Sequence, residues 1–163
     1  MVSTTAVMDT QFTEQFREIL KAETNAKLRK LREDAFAAFS LSGFPTVKDE
    51  DWKYTNVSPI TKETWQIAPF SPDFSPEGER SGEKLGTFSF RRNGFAALNL
   101  AFADFQVIRI AKETSVAEPI ELHFAADKNI AIFPHVLIIA EAGSKAMIVE
   151  SYEIGRASCR ERV

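Results

Sequence analysis

Few residues in this chain have the types and spacing that chemistry needs. Asp49, Glu50 and Asp51 set three carboxylates side by side. Oxygen-ligand sites for cations space their donors so that they converge, as calcium loops do, so three adjacent acids read as a solvated turn. Trp52 and Tyr54 follow two residues apart. On a strand they would share one face with Lys53 opposite. The expected role of the pair is to anchor the segment to a core, with Lys48 or Lys53 pairing to nearby acids. His123 and His135 are the only histidines. A metal site wants three or four converging ligands, and only Asp and Glu could complete one here, so His123 reads as a satisfied or exposed strand side chain. Gly78 and Gly82 lack the lysine and hydroxyl context of a phosphate loop. The one cysteine, Cys159, lies in a tail of foreign character, so no Cys–His pair for nucleophilic catalysis is expected. The expectation is a chain without catalytic, cofactor-binding or metal-binding residues, and not an enzyme.

The elements that must carry these residues fall into two kinds. Residues 1–9 are small and polar and are expected to be disordered. From Thr10 the pattern is helical: Phe12, Phe16, Ile19 and Leu20 fall at i, i+4, i+7 and i+8. Asp9 or Thr10 could cap this helix. Leu28, Leu31, Ala35, Phe36 and Phe39 continue an apolar face, with Thr24 or Asn25 as a break between two helices. Gly43 and Pro45 stop it. The Phe/Leu stripe is expected to serve packing. Residues 66–84 hold Pro69, Ser71, Pro72, Ser75, Pro76, Gly78, Ser81 and Gly82, the composition of a linker. Beyond it, Phe88–Phe90 reads as a strand and Phe95–Ala103 as a short helix. Gln106–Ile110, Ile120–Phe124, Val136–Ala140 and Ala146–Tyr152 read as strands, rich in Val and Ile. Glu141–Lys145 reads as a tight turn between the last two. Short strands without long helices fit a sandwich, a barrel or the first coils of a β-solenoid, and periodicity does not choose among them. The domain reading is therefore 1–9 disordered, 10–65 helical, 66–84 linker, 85–153 β-rich and 154–163 tail.

Composition narrows the class. Of 163 residues, 44% are hydrophobic and 26% charged, the balance of a globular protein. The aromatics are 14 Phe against 2 Tyr and 2 Trp, so most aromatic area is pure hydrophobe and belongs in a core. A formal charge of −3 gives no reason to expect nucleic acid or an anionic membrane as partner. No stretch approaches the roughly 20 apolar residues of a membrane span. Met1–Asp9 lacks the charged and apolar regions of a secretory signal. The cytoplasm is the expected compartment. The tail Ile154–Val163 is Arg-rich and breaks off the apolar alternation before it; its codons can be written as a string resembling a common short-read sequencing adapter. It is expected to be an artefact. Without its three arginines and one glutamate, 17 basic and 22 acidic residues remain.

The run Gly43-Phe44-Pro45-Thr46-Val47-Lys48-Asp49-Glu50-Asp51-Trp52-Lys53-Tyr54-Thr55 resembles the GxPTxKxExWKYT signature near the start of SufD-family proteins. Phe95–Ala103 resembles the family's F.ALN.AF segment, and Ala117–Phe124 its PI.L.F strand. Pro134–Ile139 and Ala146–Tyr152 resemble the opening strands of its core, so the resemblance spans roughly residues 12–152. There are departures: His135 stands where Arg is expected, Asp104-Phe105-Gln106 lacks a glycine, and Ala111-Lys112-Glu113 replaces Pro-Lys-Gly. They leave the SufB paralogue open, although the Trp-Lys-Tyr-Thr block favours SufD. The resemblance implies an α+β fold: an N-terminal helical domain followed by the beginning of a right-handed parallel β-helix, here truncated. It implies a scaffold subunit of the cytoplasmic SUF system, working with SufB-like and SufC-like subunits. The iron–sulfur cluster would be handled by the full complex, with no cofactor in this fragment. A SufB-like cluster-carrying subunit is one alternative. The other is a non-enzymatic helical adaptor with a small β binding module.

Overall fold

The computed structural model describes residues 4–69, 90 and 92–154. The first helix, α1, spans Thr4–Ala22, so it starts upstream of the Asp9 or Thr10 cap and runs through much of the stretch expected to be disordered. The break falls where an Asn can make one. The Asn25 Oδ1 accepts from the backbone N–H groups of Lys27 (3.0 Å) and Leu28 (3.2 Å) and opens α2, Ala26–Ser42. Gly43 closes α2 with φ 63, and its N–H donates to the Phe39 carbonyl at 2.7 Å. A 3-10 turn at Glu50–Trp52 and a short helix α3, Ser58–Lys62, follow. Helix α4, Gly94–Phe102, begins under an Asn93 cap whose Oδ1 accepts from the Ala96 N–H.

These helices form one compact unit, residues 1–66 with 82–103. Its core is built largely of phenylalanine. Phe12 (2% exposed), Phe16 and Phe39 are buried with Phe102. Phe16 stacks on Phe36 at 4.1 Å, and Phe102 meets the edges of Phe16 and Phe36 at 5.8 and 6.1 Å. Rings that pack edge to face or offset gain beyond their area burial. Helix α4 is apolar on nearly every side, with Ala97, Leu98, Leu100, Ala101 and Phe102 buried. It therefore packs among the other helices, although it falls within the segment 85–153 grouped above with the strands. Arg32 fastens it, as a buried cation donating to the Ala101 (3.0 Å) and Ala103 (2.8 Å) carbonyls at its C-terminal end. There the helix dipole favours positive charge. The Arg32 Nε also donates to Glu23 at 3.2 Å.

The second unit, residues 67–81 with 104–163, holds the strands. After β1 (Gln66–Ile67) come β2 (Asp104–Ile110), β3 (Ile120–Ala126), β4 (Ile130–Ala131), β5 (Pro134–Ala140) and β6 (Ile148–Ile154). The four long ones cover the strands expected from Val and Ile content, except that β6 starts two residues after the expected Ala146 and runs two residues past Tyr152. Every long pairing is parallel: β2 with β5, from Asp104↔Pro134 to Ile110↔Ala140, and β3 with β6, from Ile120↔Ile148 to Ala126↔Ile154. The offsets are 30 and 28 residues. Glu141–Lys145 is thus a corner between strands that do not pair with each other. It lies on the preceding corner through a Ser115↔Lys145 bridge and a Lys145 N–H to Thr114 carbonyl bond of 2.8 Å. Ile108, Ile120, Leu122 and Phe124 form the core of this unit, with Val116, Ile132, Val136 and Ile148 against it. The fold is α+β, helices with short parallel strands. Of the strand expected at Phe88–Phe90, residues 88 and 89 lie outside the described residues and Phe90 is in a turn. The linker residues 70–84, Cys159 and tail residues 155–163 also lie outside them.

Candidate functional site

The segment with the densest chemistry, residues 46–55, does not form a strand. Its own polar side chains fold it into a turn. The Asp49 carboxylate accepts from the Thr46 N–H (2.6 Å) and hydroxyl (3.1 Å), while the Asp49 carbonyl accepts from the Trp52 N–H (2.8 Å). Such local bonds compete with extended structure. Trp52 and Tyr54 therefore do not share a face. Trp52 is half-buried and stacks on Phe95 at 5.2 Å and 29°. Phe95 continues through Phe44 and Phe39 into the aromatic core. Tyr54 is 93% exposed, with the Lys53 ammonium 5.7 Å from its ring. The anchoring expected of the pair rests on Trp52 alone.

Two of the three acids of this segment have partners shown. Asp49 is tied to Thr46. Asp51 faces Arg92, not Lys48 or Lys53, at 3.9 Å with both groups exposed, a pair worth little. Together with Asp34, Leu41 and Gly94, this segment borders an open groove of about 800 Å³ in the helical unit. Ala37, Ala38, Pro45 and Trp52 are among its apolar lining. Asp34 on its rim is paired to Lys30, whose pKa is raised by that hydrogen bond and charge. The groove offers apolar contact and a few matched charges.

The two histidines stand on different strand pairs. The parallel register sets His123 beside Ser151, and the ring Nδ1 lies 2.8 Å from the Ser151 Oγ. The Nε2 lies 3.8 Å from a Glu153 carboxylate oxygen. The residue types are those of a nucleophile relay, but the carboxylate contact is long and the side chains are substantially exposed, so the arrangement is that of a cross-strand polar ladder. His135 meets the edge of Phe105, its register partner, at 5.2 Å. Among the described residues no group of three or more His, Cys, Asp or Glu could hold a metal ion. No described helix is long and apolar enough to cross a membrane.

Two groupings were not anticipated, the Arg32–Glu23 clamp and the His123–Ser151 ladder. Arg32 also grips carbonyls 69 and 71 residues away, and only the 28-residue offset of β3 and β6 would have revealed the second.

Residues 6–76 match the family model described as the SufBD protein N-terminal region. The match includes α2, Gly43 and the whole Thr46–Thr55 turn. It supports the SufB/SufD family and points to iron–sulfur cluster assembly by the SUF system. No curated protein and no solved structure matches the chain.

Proposed function

We propose that the chain is part of a SufD-type scaffold subunit of SUF iron–sulfur cluster assembly, without catalytic activity of its own. The observation that carries this reading is the match of residues 6–76 to the SufBD N-terminal region. The Gly43–Thr55 run within it favours SufD over SufB. The parallel strand pairs, offset by 30 and 28 residues, support a right-handed parallel β-helix as the architecture around them. Stacked strands of that kind give a rigid surface on which partners dock. On this reading the cluster is cargo, handled by the complex and not a resident cofactor. A SufB-like subunit pairs with the chain, a SufC-like subunit carries the ATP chemistry, and the complex works in the cytoplasm. Residues 154–163 are adapter-derived on the same reading.

The source DNA is first sequenced across codon 153. The natural open reading frame is then co-expressed with SufB-type and SufC-type subunits, and co-elution and cluster absorbance are measured. A stable complex that loads cluster only when the chain is present is the expected result. A chain that elutes alone, with loading unchanged, would sink the scaffold reading. A chain that holds cluster without a SufB-type partner would replace it with the cluster-carrying alternative. A stop codon directly after Val163 in the source DNA would favour the adaptor reading instead.

A further inference from the structure

No further inference is drawn: the strongest candidate, the open groove between α2, the Asp49–Trp52 turn and the N-terminal end of α4, mixes apolar side chains with acids of which Asp34, Asp49 and Asp51 are engaged by Lys30, Thr46 and Arg92, and nothing in the structure shows what covers it.

Discussion

At Glu113 the backbone adopts φ 58, a conformation that L side chains rarely take. Its neighbour in the next corner, Gly143, has φ 71, and the Glu113 N–H donates to the Ala142 carbonyl at 3.0 Å. One corner meets the demand for positive φ with glycine and the other with glutamate. Glu113→Gly should therefore raise stability by about 0.5–1 kcal/mol, read as a higher urea midpoint at unchanged slope. An unchanged or lower midpoint would contradict the strain argument. Gly43 and Gly94 separate conformation from packing. A Cβ on Gly94 would fall 1.7 Å from the Gly43 carbonyl oxygen, whereas a Cβ on Gly43 meets nothing within 4 Å but sits at φ 63. Gly94→Ala should cost about 1–3 kcal/mol or more through forced separation of α4 from Gly43. Gly43→Ala should cost about 1–3 kcal/mol through backbone conformation alone, because φ 63 with ψ −165 is a region that essentially only glycine occupies. Tyr152 gives a pH readout. Its hydroxyl donates to Glu150 at 2.9 Å, and this bond, then burial and the carboxylate charge, raise the phenol pKa above 10.0. The folded pair keeps its proton longer than the unfolded chain. Whatever the bond contributes is present below pH 10 and is lost as pH rises through the raised value. In a Tyr54→Phe background, Glu150→Gln should move the ultraviolet ionisation curve of Tyr152 to lower pH; an unmoved curve would rule out the bond.

Among the elements, α4 shows what could be read in advance and what could not. Its helical spacing was legible in Leu98 and Phe102, as were the α2 boundaries at Asn25 and Gly43. Those signals are local, since a cap or a C-terminal glycine acts on backbone groups within a few residues. The packing of α4 was not legible. It depends on Arg32, 69 and 71 residues from the carbonyls it grips. A basic residue on α2 reads as solvated surface until its partners are known. The turn at the acids was legible in Asp49, Glu50 and Asp51; what was not legible is that Asp49 bonds back to Thr46 and sends Trp52 and Tyr54 to different surroundings. The clamp makes a sharp expectation. Arg32→Met should destabilise the helical unit by about 3–5 kcal/mol, because it strands the Glu23 carboxylate and two buried carbonyls. Adding Glu23→Gln should restore part of the loss, since the uncompensated charge goes with it. Thermal melts of the single and double variants measure both. Additive losses in the double variant would mean that the two side chains act independently.

For the chain as a whole, the decisive feature is which strands pair. Four strands were legible from composition, but not their partners, because a hairpin and a parallel stack bury the same alternating residues. In the parallel register Glu121 lies beside Val149, and both side chains are exposed on the outer face. If Glu141–Lys145 were a hairpin turn centred on Gly143, Val149 would instead face Leu137. One cysteine therefore tests both topologies. In a Cys159→Ser background, Val149→Cys combined with Glu121→Cys should form a disulfide under mild oxidation, because adjacent strand positions fall within disulfide reach. Val149→Cys combined with Leu137→Cys should not. The closed loop of about 28 residues should add about 3–4 kcal/mol to the β unit, less any native-state strain. Cross-linking to Leu137→Cys in place of Glu121→Cys would establish a hairpin. It would remove the stacked-strand support for a β-helical scaffold while leaving the N-terminal family match intact, so the two legs of the functional reading can fail separately.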